Sequence, residues 1–368
     1  MNWREYDMKL LITGGGTGGH VYPGIAVARE LMKRGPEHKI MFVGAEHGVE
    51  TRIAKKEGFD ITTLDVTGIK GKGLFKKAVS AGRFIKSVFG ALDVINRFQP
   101  DVTLGVGGYA SGPVATATAI KKMPLVLAEQ NISPGITNKW LARFASKVFI
   151  TWPESAANFP EGSCIVSGNP IRQEFFEVKR ERDDGKINIL VIGGSQGAAS
   201  INKSITGAIP SLNEVCSVIS ITHQTGEADE NNVCQAYKDA KFNWIAKKFF
   251  DDMPQKLADA DLVISRAGAG AVAEICAAGK AAIYVPYPYA ADDHQTKNAI
   301  AMENAGAAIV VKDKEITGEM FAEIIKGFVK NKNRLKEMAL LAKDGAKPHA
   351  AAMIVDEILR LAREAKAA

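Results

Sequence analysis

The sequence predicts an α/β protein built of two Rossmann-like parallel-sheet domains facing one cleft, and three observations carry that prediction. Short apolar runs alternate with helical patterns along the whole chain, which is how parallel strands joined by crossover helices read. Each half opens on an apolar strand that runs straight into glycines. Leu10-Leu11-Ile12-Thr13 leads into Gly14-Gly15-Gly16-Thr17-Gly18-Gly19-His20, and Ile189-Leu190-Val191-Ile192 into Gly193-Gly194-Ser195-Gln196-Gly197. At 368 residues, 46% of them hydrophobic, the chain is long and apolar enough for two full cores.

Taken in order, strands are expected at 9–13, 39–43, 61–66, 102–106, 124–128, 147–151 and 164–167 in the first half. In the second they are expected at 187–192, 218–222, 243–247, 262–265, 281–285 and 307–311. The polar stretch Arg172–Lys186 reads as a linker, so residues 1–172 form the first domain and 173–345 the second. Residues 346–368 hold a helix rich in Ala, Leu and Arg, expected to pack back on the first domain.

Composition narrows the compartment. The four cysteines, Cys164, Cys216, Cys234 and Cys276, are widely spaced and show no metal-ligand pattern, so they read as thiols in a reducing cytoplasm. The polar N-terminus (Asn2, Arg4, Glu5, Asp7) does not read as a signal peptide, and no apolar run is long enough to cross a bilayer. The expected protein is soluble or lies on a membrane surface from the cytoplasmic side. Its net charge of +6 is uneven: residues 1–172 hold 22 Lys/Arg against 14 Asp/Glu. Within Gly68–Pro100 stand Lys70, Lys72, Lys76, Lys77, Arg83, Lys86 and Arg97 against Asp93 alone. Leu74, Phe75, Val79, Phe84, Ile85, Val88 and Phe89 interleave with those cations. That mixture points to anionic lipid headgroups rather than to nucleic acid, for which no recognition module is present.

The glycine loops are the first candidate site. Glycines let the backbone approach an anion, and the N–H groups at a helix start face it. Gly14–Gly19 fits G-x-G-x-x-G, a weak dinucleotide signal by itself, and the acid such a fold wants after the second strand is poorly met by Glu46. His20, at the mouth of the loop, is the candidate catalytic base, because an imidazole titrates near neutrality. Gly105–Pro113, including Tyr109, and Glu129-Gln130-Asn131 follow further strands on the same edge and make a polar rim suited to a hydroxyl-rich ligand. In the second half, Ser265-Arg266-Ala267-Gly268 leads into a helix whose start, Ala269, Gly270, Ala271, Val272 and Ala273, can face a diphosphate. Glu274 would accept from ribose hydroxyls or else cap that helix. Gln295 offers an amide to sugar hydroxyls. Asp259-Ala260-Asp261 resembles a metal-holding D-x-D but sits before its strand, on the opposite edge, and reads as a helix end.

Taken together, Gly15–Gly24, Gly107–Pro113, Glu129-Gln130-Asn131, Gly168-Asn169-Pro170-Ile171-Arg172, Gly193–Gly197 and Ser265–Gly268 resemble, in order and over nearly the whole chain, the peptidoglycan N-acetylglucosaminyltransferases that convert lipid I to lipid II. The resemblance implies a GT-B glycosyltransferase using UDP-GlcNAc as donor and undecaprenyl-diphospho-N-acetylmuramoyl-pentapeptide as acceptor. It implies a β-1,4 bond formed with inversion at the cytoplasmic face of the inner membrane, no metal and no cofactor. It implies that Thr17, Gly18, Gly19 and Asn131 lie at the donor sugar and diphosphate, that Arg172 and Ser195 touch the diphosphate or base, and that Phe250 meets uracil. Ala269 to Glu274 would hold the α-phosphate and ribose, and Gln295 the GlcNAc hydroxyls. Lys72, Leu74, Phe75, Lys76, Lys77, Val79 and Tyr109 are expected toward the membrane and acceptor, with cell-wall synthesis and division proteins as further partners. Ala271 stands where the family often has Thr, which removes one hydroxyl contact to phosphate. The competing readings are a related glycolipid glycosyltransferase, a UDP-GlcNAc epimerase and an NAD-dependent oxidoreductase. The last leaves the second glycine loop unexplained.

Overall fold

Strands such as Leu10-Leu11-Ile12 are apolar on both faces because both faces are covered, as a parallel sheet with crossover helices requires. The computed structural model describes residues 7–16, 18–46, 48–66, 74–181, 185–194 and 196–367, with backbone alone over 74–81. Contacts divide the chain into two units: 1–172 with 347–368, and 173–346.

Among the described residues the first unit holds β1 (Lys9–Thr13), β2 (Lys39–Ala45), β3 (Asp60–Leu64), β4 (Val102–Gly105), β5 (Leu125–Glu129), β6 (Lys147–Ile150) and β7 (Cys164–Val166). They lie in the order β3-β2-β1-β4-β5-β6-β7, all parallel, with Ile12 between Phe42 and Leu104. The second unit holds β8 (Ile187–Ile192), β9 (Ile219–Gln224), β10 (Asn243–Lys247), β11 (Leu262–Ser265), β12 (Ala281–Tyr284) and β13 (Ala308–Val310). Its order, β10-β9-β8-β11-β12-β13, is again all parallel.

This order fixes where a site can form. From β1 the chain winds to one side through β2 and β3, then returns to lay β4 on the other side. The helices after β1 and β4 therefore cover opposite faces of the sheet, and the loops leading into them lie side by side at the carboxyl ends of the strands, where sites form in such folds. The loops after β8 and β11 do the same in the second unit. Each glycine loop read from the sequence falls at one of these two switch points.

One core of the first unit packs the helix Gly18–Arg34 on the sheet through Val21, Ile25, Ala28 and Leu31. Gly24 lets the helix pack closely there: a Cβ would come 3.0 Å from Ile12 Cγ2. The C-terminal helix Ala350–Ala367 completes the same core with Ile354, Val355, Ile358, Leu359 and Ala362, lying against Gly18–Arg34. On the other sheet face Val88, Ala91, Val94 and Ile95 of the helix Leu74–Phe98 pack with Val114 and Ala117 of the helix Ser111–Ile120. The second unit has its own core around Ile189, Val191, Ile221, Ile264, Ile283, Phe321 and Phe328. No helix among the described residues is long and apolar enough to cross a membrane.

Candidate functional site

In the first unit two glycine loops are pressed backbone to backbone. Gly15 N–H donates to Gly107 O at 3.1 Å, and Val106 N–H donates to Thr13 O at 2.9 Å. Gly16, Gly107 and Gly108 have φ of 89°, 91° and 85°, a left-handed region that disfavours a side chain. A Cβ on Gly108 would also lie 2.0 Å from Gly15 O. Gly18 and Gly19 open the helix Gly18–Arg34, so His20 sits in its first turn. The imidazole is half-buried and lies over Gly107, whose Cβ would be 3.0 Å from His20 Cδ2. Tyr109 is exposed beside Gly16. Thr17 lies outside the described residues.

Two buried carboxylates support this edge. Glu129 uses both oxygens. Oε1 accepts from Asn131 N–H at 3.0 Å and Asn131 Nδ2 at 3.2 Å, and Oε2 accepts from Gly135 N–H at 3.1 Å and Asn138 Nδ2 at 2.9 Å. It therefore fixes the turn that presents Asn131. Glu50, in the helix Val49–Lys56, accepts from Gly16 N–H at 3.1 Å and from Ala45 N–H at 2.7 Å. Sequence reasoning missed Glu50 and considered Glu46, which is exposed and contributes its backbone N–H to Leu64 O. The available signal was the pair Gly44 and Gly48 flanking it: a Cβ on either would strike the Glu50 side chain. Arg172 belongs to this unit too, its guanidinium carbon 4.9 Å from the Tyr22 ring centroid.

In the second unit the glycine loop after β8 turns through Gly194 and Gly197, φ 85° and 77°, with Gly197 N–H donating to Gly194 O at 3.1 Å. The helix that follows begins at Ala199, two residues after Gly197. Ser195 lies outside the described residues. The loop rests on Thr225-Gly226, for a Cβ on Gly197 would lie 2.3 Å from Thr225 O. A buried relay holds that shelf. Asn202 Nδ2 donates to Thr225 O at 2.8 Å and Asp229 Oδ2 at 2.9 Å. With its amide donors so used, Asn202 Oδ1 accepts from His223 Nε2 at 3.0 Å, which leaves His223 Nδ1 to accept from the Tyr237 hydroxyl at 3.1 Å. Burial pushes the His223 imidazole down to about 3, so it is neutral.

Arg266 ties the remaining loops. Its guanidinium pairs with Asp313 and donates to Ser200 Oγ at 3.0 Å, Val285 O at 3.0 Å and Pro286 O at 3.2 Å. The segments following β8, β11, β12 and β13 thus meet on one planar cation. The helix Ala269–Ala278 starts after Gly268 with no side-chain cap and no acid in its first turn. Ala269, Gly270, Ala271 and Ala273 are half-buried, while Val272 is in the core and offers a ligand no side chain. Glu274 is the sixth residue of the helix, half-buried and beyond the turn where capping operates, which weighs against the capping reading. Gln295 Oε1 accepts from Tyr287 N–H at 3.0 Å, which directs its amide nitrogen away from that loop. Phe250 is 4% exposed, with Lys247 and Lys256 Nζ near its ring, so it has little ring surface to offer a base.

Asp259 and Asp261 do different work. Asp259 ends the helix Met253–Asp259 and accepts from Glu181 N–H at 2.9 Å. Asp261 pairs with Arg180 at 2.5 Å and accepts from Asn188 N–H at 2.9 Å, anchoring the entry of the chain into the second unit. Among the described residues no three His, Cys, Asp or Glu side chains are grouped to hold a metal.

Of the candidate docking residues, Lys72 lies outside the described residues, as do the side chains of Leu74, Phe75, Lys76, Lys77 and Val79. Further along the same helix, Ile85 and Phe89 are 56% and 67% exposed, while Val88 is buried and Phe84 lies against Gly112. Ile136, Trp140 and Phe144 are exposed on the helical stretch that packs beside Ser111–Ile120, with Lys139 and Arg143 among them.

The sequence profile of the glycosyltransferase family 28 N-terminal domain matches residues 10–150, and that of the family's C-terminal domain matches 188–354. The chain is 41% identical over 362 residues to the UDP-N-acetylglucosamine–N-acetylmuramyl-(pentapeptide) pyrophosphoryl-undecaprenol N-acetylglucosamine transferase of Geobacter sulfurreducens, covering 97% of this chain and 100% of that one. It is 41% identical to the protein of the same name from Thermodesulfovibrio yellowstonii, over 95% of this chain and 97% of that one. Among solved structures, Acinetobacter baumannii MurG superposes with a TM-score of 0.78 at 30% identity, covering 96% of this chain and all of that one. A Neisseria meningitidis UDP-GlcNAc 2-epimerase bound to UDP-GlcNAc reaches 0.68 at 16% identity over 96% of this chain and all of that one, a likeness of fold alone.

Proposed function

The chain belongs to the UDP-N-acetylglucosamine–N-acetylmuramyl-(pentapeptide) pyrophosphoryl-undecaprenol N-acetylglucosamine transferases of glycosyltransferase family 28, and from that premise we propose that it transfers N-acetylglucosamine from UDP-GlcNAc to lipid I, forming lipid II. The observation that carries this reading is the pair of switch-point glycine loops, one beside His20 and one beside the start of the helix that carries Glu274. Residues 1–172 take the acceptor and supply the base, and 173–345 take the donor.

The donor's diphosphate carries the charge that grows as the sugar leaves. Backbone N–H groups at the start of Ala269–Ala278 would stabilise that charge without a cation. The ribose hydroxyls suit Glu274, and the sugar hydroxyls suit the amide nitrogen of Gln295. Gly18, Gly19, Asn131 and Arg172 complete the donor set in this reading. Phe250 fits this set poorly, since its ring is buried and its N–H already donates to Gln224 Oε1 at 3.1 Å. His20 takes the proton of the attacking 4-hydroxyl as the bond forms, which a neutral imidazole does at physiological pH. Attack from the face opposite the diphosphate inverts the anomeric centre and gives a β-1,4 link.

The acceptor's polyprenyl tail keeps it in the bilayer, so the enzyme must come to the headgroup plane, as a peripheral protein on the cytoplasmic face of the inner membrane. Exposed Ile85, Phe89, Ile136, Trp140 and Phe144, with Lys86, Lys139 and Arg143, have the character of an interfacial surface. Each cation near anionic lipid contributes about 1 kcal/mol. Cell-wall synthesis and division proteins are the partners this place in the cell suggests.

Enzyme incubated with UDP-GlcNAc and a lipid I analogue should release UDP and form a disaccharide product, with activity retained in EDTA. UDP release without an acceptor product, or strict Mg²⁺ dependence of the chemical step, sinks the reading or its metal-free form. Binding to anionic vesicles should fall with salt, and changing Lys72, Lys76 and Lys77 together to Glu should release the protein while sparing turnover of a water-soluble acceptor. Unaltered sedimentation of that variant moves the docking surface elsewhere.

A further inference from the structure

We propose that Glu50 is a positioning residue for the transfer reaction, acting through the glycine strap that carries His20. The side chain is 1% exposed and sits below the loop. Its two oxygens serve two different segments: Oε2 accepts from Gly16 N–H and Oε1 from Ala45 N–H, at the end of β2. The strap is thereby held from both sides, because Gly15 N–H donates to Gly107 O while Gly16 N–H donates to Glu50. Gly16 is the left-handed residue, φ 89°, that turns the chain toward the helix starting at Gly18. Fixing its peptide fixes the direction from which that first turn, and His20 within it, arrives over Gly107.

The surroundings are cut to this carboxylate. A Cβ on Gly15, Gly44 or Gly48 would come within 2.2, 2.3 or 2.1 Å of the Glu50 side chain. Gly44 and Gly48 have no left-handed φ to explain them, so what they provide is room. Glu50 is the second residue of the helix Val49–Lys56, where the helix dipole favours a negative charge, so the helix start and the two N–H donors together suit a buried carboxylate. A carboxylate can accept through both of its oxygens, one from each segment. An amide of the same shape accepts one and presents an NH₂ to the other.

Glu50→Gln is therefore the informative change. This inference rests on the transferase reading, and wild-type turnover with the lipid I analogue is the control that separates the two. With that control active, Glu50→Gln should keep its melting temperature and its KM for UDP-GlcNAc while kcat falls roughly ten- to a hundredfold, as a misplaced catalytic group requires. Glu50→Asp should recover part of the loss. Gly48→Ala, which crowds the carboxylate without touching the loop, should reproduce the kcat effect. Amide exchange at Gly16 should quicken in each impaired variant. A Glu50→Gln enzyme with kcat within twofold of wild type overturns the proposal. So does one in which melting temperature and kcat fall while KM rises, for that is the behaviour of a structural residue.

Discussion

The two glycine loops occupy equivalent switch points but are supported in different ways. At the first, the buried carboxylate of Glu50 accepts directly from the loop's own Gly16 N–H, while Glu129 holds the neighbouring turn through Asn131 and Gly135 N–H. The second rests on a relay of Tyr237, His223 and Asn202 that ends on the Asp229 carboxylate, with Arg266 nearby paired to Asp313. In the first loop an acid thus grips the glycine backbone itself, at Gly16, whereas in the second the acid reaches the shelf below the glycines through Asn202 and Thr225. The same turn of chain can be clamped directly or carried on a shelf, and what lies under the loop decides between them.

Removing the imidazole from the first loop should have the largest effect. His20→Ala is expected to lower kcat by roughly two to four decades with UDP affinity kept, since base catalysis of that size is ordinary. Near-normal turnover would erase the chemical half of the contrast. On the second loop the expected effect is on binding. Glu274→Ala should weaken UDP, measured by calorimetry, by about 1–3 kcal/mol. Unchanged UDP binding there would leave this carboxylate no ligand. The smallest effect sharpens the relay. His223 is neutral in the fold, its pKa near 3, whereas unfolded chains protonate near 6.5. The unfolded state therefore binds the extra proton, and stability is lost as pH falls from about 6.5 toward 3, by at most roughly 1.4 kcal/mol per pH unit. Urea unfolding at pH 7 and pH 5, followed through Trp244, which stacks on Tyr237, should show that loss, and His223→Gln should flatten it. Equal slopes in the two chains would mean that the imidazole is not buried as a neutral acceptor.

The strands were legible because each is an apolar run ending at a glycine or a polar loop, a signal carried by neighbours in sequence. So were the loops at the switch points, because tight turns admit few residues besides glycine. The interactions that hold the loops still were not. Glu50 reaches Gly16, Arg266 reaches Asp313, and Asn202 reaches His223, across 34, 47 and 21 positions. No local pattern encodes such pairings. An acid in the first turn of an amphipathic helix, such as Glu50, reads as complement to the helix dipole, and only the sheet order shows that it lies under Gly16. Exposure within the basic helix was half legible. Sequence alone gives its apolar and charged residues, while the split between buried Val88 and exposed Phe89 depends on where Ser111–Ile120 packs.

The return of the helix Ala350–Ala367 to the first unit has a consequence for the order of synthesis. Ile354, Val355, Ile358 and Leu359 share one core with Leu10, Ile12 and Ile25. The unit that is translated first is therefore left with an open apolar face until residue 362 has emerged, whereas residues 173–346 have every part of their own core earlier. During translation the later-coded unit is the first that can close, and the earlier one waits with the face of Gly18–Arg34 bare, a surface for chaperones rather than for substrate.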